Sequence, residues 1–228
     1  MPFLREKYDE IIQEISPNPI SLIAVSKTKP LADLEEAYKF GIRDFGENYV
    51  QELVDKSQSL PSDIRWHFIG HLQTNKVKYI APFVHLIHGV DSEKLLLEIN
   101  KQGQKLNRPI ECLLQIHIAQ EETKFGFNET EVTALIEKYF SPKAKQNLPF
   151  VTIRGLMGMA SFTNNKTIIK EEFASLKSLY DQIIMDYQLL FDTLSMGMSN
   201  DYKLAVELGS TMVRIGSLLF GERNSNKL

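Results

Sequence analysis

The sequence predicts an α/β protein: a single (β/α)8 barrel of the TIM type with an additional N-terminal helix, residues 1–228 forming one domain. Three observations carry that expectation. Short apolar runs rich in β-branched residues alternate with longer stretches of helical period, the pattern of parallel β/α units. A length of 228 residues suits one barrel and leaves little room for a second domain. The unusual polar and glycine residues come directly after the strand candidates, where a barrel keeps its chemistry.

The opening MPFLREKYDEIIQEI mixes charges with apolar residues at helical spacing and lacks the apolar block of a secretory signal. Eight strands are predicted at Ser21–Val25, Arg43–Phe45, Trp66–Ile69, Val84–His88, Glu111–Ile118, Val151–Leu156, Thr193–Met196 and Met212–Ile215. Pro30 opens a helix in which Leu31, Leu34, Ala37 and Tyr38 share a side, and Gly41 stops it. Asp91 and Ser92 are caps for a second, with Leu95, Ile99 and Leu106 on one face before Asn107 and Pro109 end it. In 167–190, Phe173, Leu176, Tyr180, Ile183, Ile184 and Tyr187 recur at spacings of three and four, which makes one buried stripe. SPKAKQNLP at 141–149 is expected to be a surface loop, and Glu121-Glu122-Thr123-Lys124 a solvated one. An open doubly wound sheet is the structural alternative, because strand order is not written in one sequence.

Composition narrows the function. Hydrophobic residues at 43% and charged residues at 24% describe an ordinary globular chain. A net charge of -3 offers no global attraction to nucleic acid or anionic lipid, so the expected ligand is small and its site local. No apolar stretch reaches the roughly 18 residues of a membrane span. One cysteine, Cys112, excludes an internal disulfide and a thiolate metal cluster, and a cytoplasmic location is expected. The five histidines are scattered at 67, 71, 85, 88 and 117, without a metal-ligand constellation. No serine occupies a G-x-S-x-G elbow.

The candidate site gathers at strand ends. Lys27 comes immediately after an apolar strand, so its ammonium is expected at a partly desolvated barrel mouth, which favours the neutral, nucleophilic amine. Gly197, Ser199, Gly216 and Ser217 lie in the loops after strands seven and eight, where barrels commonly bind phosphate. Gly216 admits an oxyanion close to the backbone, and the serines add hydroxyl donors. Arg214, alternating with Val213 and Ile215, is expected to face the barrel interior, where a guanidinium needs a partner such as a pyridine nitrogen.

These residues sit in segments that resemble one family throughout nearly the whole chain. AVSKTKP at 24–30, FGENYVQE at 45–52, WHFIGHLQTNK at 66–76, RGLMGMA at 154–160 and LSMGMSNDYKLAVELGSTMVRIGSLLFGER at 194–223 are similar to the pyridoxal phosphate homeostasis proteins of the YggS/PROSC type. That family is related to the barrel domain of alanine racemase and fungal ornithine decarboxylase. The resemblance implies pyridoxal 5′-phosphate as cofactor, held as a Schiff base on Lys27. It implies Asn48 beside the ring, Arg214 on the pyridine nitrogen, Ser199, Gly216 and Ser217 on the phosphate, and Met157 and Met196 lining the ring. Gly158, Ala160 and His71 vary from the usual family versions and bear on pocket detail.

The function so implied is a carrier in vitamin B6, and indirectly amino-acid, homeostasis, without catalytic residues or a metal. Its partners would be the small-molecule cofactor and pyridoxal-phosphate-dependent apoenzymes, with no nucleic acid or membrane, and a monomer is expected. The alternative is a minimal amino-acid racemase with Lys27 as base. Against it, a guanidinium cannot give its proton to the pyridine, so the ring is a weak electron sink. Further, the chain is expected to lack alanine racemase's second domain, since it ends at Leu228, soon after strand eight.

Overall fold

Strands that are apolar on both faces need burial on both sides, and a closed parallel barrel wrapped in helices meets that demand. The computed structural model describes residues 3–16, 19–121, 125–144 and 146–222. In chain order these form α1 (Arg5–Ile15), β1 (Ser21–Val25), α2 (Leu31–Lys39), β2 (Asp44–Glu47), α3 (Val50–Ser59) and β3 (Arg65–Phe68). A 3-10 turn at Thr74–Lys76 leads into α4 (Val77–Ile80), then β4 (Leu86–Val90), α5 (Glu93–Leu106), β5 (Ile110–Ile116) and α6 (Glu129–Tyr139). The remainder is β6 (Val151–Gly158), α7 (Lys166–Tyr187), β7 (Thr193–Met198), α8 (Tyr202–Glu207), β8 (Met212–Ile215) and α9 (Ser217–Phe220). The eight strands pair in parallel in simple order and close, β8 returning to β1 with Leu22 opposite Val213 and Ala24 opposite Ile215. The doubly wound alternative is thereby excluded.

Strand positions track the apolar runs, and their ends are decided by pairing. β2 runs past Phe45 through Gly46 to Glu47, because β3 offers His67 and Phe68 as ladder partners. β4 begins at Leu86 rather than Val84, since the Val84 N–H still bonds the Ile80 carbonyl at 2.8 Å in the preceding turn. Residues 122–124 and 145, within two of the predicted loops, lie outside the described residues.

Alternation sorts each strand into two layers. Leu22, Ala24, Phe45, Trp66, Phe68, Ile87, Cys112, Leu114, Leu156, Leu194, Val213 and Ile215 point outward into one continuous core shared with the helices. Ile23, Leu86, Leu113, Met157 and Met212 form a separate, smaller apolar cluster inside the ring. From α7, Phe173, Leu176, Tyr180 and Ile183 are buried in the outer core, with Ile184 and Tyr187 partly covered. In α5 the Ser92 hydroxyl caps the Leu95 N–H and left-handed Asn107 ends the helix, as their residue types predict. Leu31 and Leu106, expected on buried faces, are exposed, each being a terminal residue of its helix.

The N-terminal helix has a structural purpose. α9 spans only four residues, too short to cover the β8–β1 seam. α1 lies there instead: Phe3 packs on Phe40 and Phe220, Arg5 pairs with Glu36 of α2, and Glu14 accepts from Tyr202 and Lys203 of α8.

Candidate functional site

The β1–β8 pairing brings the two ends of the sequence motif set together. Lys27 leaves the C-terminal end of β1, and Gly216 and Ser217 leave that of β8, next to it in the ring. The contact is close: a Cβ on Gly216 would stand 3.3 Å from both the Cβ and the carbonyl oxygen of Val25. Ser199, just past β7, accepts the Gly216 N–H on its hydroxyl at 3.3 Å. Lys27 is half-buried and Ser217 exposed.

The loop carrying Lys27 is braced on both sides. Ser26 is fully buried; its hydroxyl donates to Glu47 Oε1 at 2.6 Å and its carbonyl accepts from the Lys56 ammonium at 2.8 Å. Lys56 also donates to Glu47 at 2.8 Å and to Glu52 at 2.7 Å. Thr28, in the left-handed region at φ 64°, gives its N–H to Glu52 at 2.6 Å. On the far side, the Lys29 ammonium donates to the carbonyls of Phe220 and Gly221 at 2.6 and 3.0 Å, capping the last turn of α9. Burial raises the Glu47 carboxyl above its ordinary range, opposed by the adjacent Lys56 charge. Ser26, Thr28, Lys29, Glu47 and Glu52 lie in the motif segments 24–30 and 45–52, which assign them no role, and Lys56 lies outside both. The Glu52–Lys56 spacing of four on one helix is the signal that could have found them.

Arg214 faces the interior, as its alternation with Val213 and Ile215 predicts, and is only 4% exposed. Its guanidinium is already partly satisfied. Nη1 donates to the Ser195 carbonyl at 2.9 Å and hydroxyl at 2.6 Å, and Nη2 to the Gly158 carbonyl at 3.1 Å. Three of its five N–H groups are thus engaged; the other two make no hydrogen bond among the described residues. Burial lowers its pKa to about 10, so it remains a cation at neutral pH.

Asn48 comes after β2, its backbone pressed against Gly70: a Cβ on Gly70 would fall 2.3 Å from the Asn48 carbonyl oxygen. Its side-chain Oδ1 is buried with no hydrogen-bond partner among the described residues. Asn48 also edges a cleft of about 530 Å³ with Tyr49, His71, Gln73, Lys76 and Tyr79. That cleft includes the outward-facing Phe68 in its wall and so lies beside the barrel, not within it.

The two methionines part company. Met157 belongs to the apolar cluster inside the ring. Met196 does not: it is fully buried in the outer core with the helices, because Ser195 occupies the inward position on β7 and the next residue must face out. The expectation that Met196 lines a bound ring is corrected accordingly. Met159, which sequence reasoning passes over, packs on the inner cluster instead.

Among the described residues no group of three or more His, Cys, Asp or Glu could hold a metal, and no helix is long and apolar enough to cross a membrane.

Comparison with known proteins agrees with this fold. The family model described as alanine racemase, N-terminal domain, matches residues 4–224. A pyridoxal phosphate homeostasis protein of Pasteurella multocida is 39% identical over 214 residues, covering 91% of this chain and 88% of that one. The solved structure of PipY from Synechococcus elongatus, with pyridoxal phosphate bound, superposes with a TM-score of 0.85 at 34% identity, over 95% of this chain and 99% of that one. An alanine racemase of Clostridium difficile shares the fold, with a TM-score of 0.72 at 13% identity over 98% of this chain and 62% of the other. With a closed eight-stranded barrel, its site motifs at the strand ends and identity of this extent, the chain belongs to the pyridoxal phosphate homeostasis protein family.

Proposed function

We propose that the chain holds pyridoxal 5′-phosphate as a Schiff base on Lys27 and acts as a cytoplasmic, monomeric carrier that supplies apoenzymes, rather than as a robust enzyme. The observation that carries this reading is the β1–β8 seam, where the half-buried Lys27 loop adjoins the Gly216 backbone. The names of its relatives and the pyridoxal-phosphate-bound PipY structure support the choice of cofactor.

The residues present fit that group. Gly216 carries no side chain where its backbone packs against Val25, so a phosphate can approach that backbone, with the Ser199 and Ser217 hydroxyls as further donors. The two spare N–H groups of Arg214 suit a pyridine nitrogen, an acceptor without charge. The unpartnered Asn48 Oδ1 and the inward face of Met157 supply a polar and an apolar contact for a ring. When bound, the cofactor supplies an aldehyde carbon for an amine and a dianionic phosphate as a handle.

Arg214 also favours carriage over turnover. A buried guanidinium that stays charged at neutral pH does not protonate the nitrogen it donates to, and an unprotonated ring withdraws electrons weakly. Lys27 therefore holds the group reversibly, while Arg214 orients it without activating it.

Loading the purified protein and removing free cofactor tests the reading. A bound chromophore that is lost in Lys27→Ala is expected, and a wild type that retains none overturns it. Hydrogen–deuterium exchange at the α-carbon of alanine decides against the racemase alternative unless turnover reaches about 1–10³ per second, the range of ordinary enzymes. Gel filtration checks the monomer.

A further inference from the structure

Beneath Arg214 the barrel interior holds four polar side chains that the proposed carrier function does not use. Asp44, His67, His88 and Ser195 come from β2, β3, β4 and β7, and they touch in sequence. Arg214 Nη1 lies 2.6 Å from Ser195 Oγ, Ser195 Oγ 3.3 Å from His88 Nδ1, His88 Nε2 2.9 Å from His67 Nδ1, and His67 Nε2 3.1 Å from Asp44 Oδ1. His88 and Ser195 are fully buried and His67 is 1% exposed. Asp44 lies at the opposite end of the barrel from the rim, anchored there by Arg65, whose Nε donates to Oδ1 at 2.6 Å.

The proton positions are set by the two ends. Arg214 can only donate, so Ser195 Oγ accepts from it and turns its own hydrogen toward His88 Nδ1. His88 Nδ1 is then a lone pair, and the neutral ring carries its hydrogen on Nε2, facing His67 Nδ1. His67 in turn must carry hydrogen on Nε2, which donates to the Asp44 carboxylate. Reversing either ring would set two N–H groups or two lone pairs face to face in a buried site, a loss of one hydrogen bond and an uncompensated desolvation.

We propose that Asp44, His67, His88 and Ser195 form a one-way hydrogen-bond relay that positions Arg214, with both histidines neutral and protonated on Nε2. The relay holds the guanidinium plane through Nη1 and leaves its two remaining N–H groups to a ring nitrogen; that last step rests on the pyridoxal phosphate reading. The four are positioning residues, acting on a ligand only through Arg214.

Neighbouring charges agree with neutral rings. Burial lowers the pKa of His67, and lowers that of His88 far more, with His67, Arg214 and His85 adding to it. The His85 ring stands 5.2 Å from that of His67, so a charge on either ring disfavours one on the other. Asp44 and Glu111 pull His67 the other way, and Arg65 opposes them. Burial favours the neutral Asp44 carboxyl, but hydrogen bonds from His67 and Arg65 outweigh it and hold the pKa at about 2. The carboxylate is therefore ionised and accepts only.

Nitrogen-15 NMR of the histidine rings in cofactor-free protein tests the relay without reference to any ligand. His67 and His88 are expected as neutral Nε2–H tautomers from about pH 8 down to about the ordinary imidazole value of 6.5. An Nδ1–H tautomer or an imidazolium on either ring in that range overturns the proposal. Ser195→Ala removes the link to Arg214 and leaves the histidine pair. In the empty protein, hydrogen exchange at Arg214 Nη1 is expected to accelerate about tenfold, the loss of one charge-assisted hydrogen bond. In the loaded protein the pH titration of the bound chromophore should shift. His88→Gln, which keeps a donor and an acceptor, should stay near wild type, while His88→Phe should match Ser195→Ala. Unchanged exchange in Ser195→Ala, or identical spectra for all variants, sinks the relay. A wild type that takes up no cofactor sinks the carrier reading alone, since the tautomers and the exchange are measured without it.

Discussion

The ammonium of Lys56 lies 2.8 Å from the carboxylate of Glu47, the first 6% and the second 0% exposed, immediately behind the loop that carries Lys27. A buried ion pair of this kind contributes little net stability when complete, but losing one partner strands the other charge. Lys56→Met should therefore lower unfolding free energy by about 3–5 kcal/mol. Chemical denaturation of the two proteins measures this. The same variant frees the Ser26 carbonyl and Glu52, so proteolysis or hydrogen exchange should report a looser 26–29 loop.

Acid should destabilise the protein from near neutrality. His67 and His88 have folded pKa values below the ordinary 6.5, so above that pH both states are neutral and there is no linkage. Below it the unfolded chain binds protons that the folded barrel refuses, and stability is lost as pH falls. The slope should be about 1.4 kcal/mol per pH unit for each histidine. Asp44, held at about 2 against an ordinary 3.8, adds a further loss only as pH falls through that lower window. Melting temperature measured from about pH 8 to about pH 2 checks the order, and His88→Gln should flatten the first phase.

Gly216→Ala should separate folding from binding. Its Cβ would meet Val25 at 3.3 Å, tight enough to force a small adjustment and to cost about 1 kcal/mol of stability. The adjustment would also move the backbone that a phosphate would use. Cofactor retention should fall roughly tenfold, equivalent to about 1.4 kcal/mol, measured by equilibrium dialysis. Unaltered retention would show that the phosphate lies elsewhere.

Cys112 should be silent in the native state. It is fully buried on the outward face of β5, and burial pushes its thiol pKa far above the ordinary value. A thiol-specific reagent should react stoichiometrically in denaturant and negligibly without it. Rapid native labelling would require β5 to open.

Periodicity located the eight strands and the helices at the N-terminus, after Pro30, after Ser92 and over 167–190. Each strand is a local apolar run, so Ser21–Val25 and Met212–Ile215 match the observed strands residue for residue, whereas α3, α4, α6, α8 and α9 were not singled out. The rim residues Lys27, Ser199, Gly216 and Ser217 were legible for a related reason: chain continuity puts the residues just past a parallel strand at the C-terminal end of the barrel. Parity along β8 was enough to turn Arg214 inward.

Tertiary structure decided the contacts between strands distant in sequence. Met157 and Met196 look alike along the chain, yet only closure of the ring shows one facing in and the other out, because parity on β7 is counted from the inward Ser195. The line from Asp44 through His67, His88 and Ser195 to Arg214 joins residues of β2, β3, β4, β7 and β8, most of the length of the chain. No local pattern announces such contacts, since each histidine alone resembles an ordinary core residue. Hydrogen-bond distances form across the barrel axis only once β1 pairs with β8, and that single long-range pairing converts scattered polar residues into a connected interior.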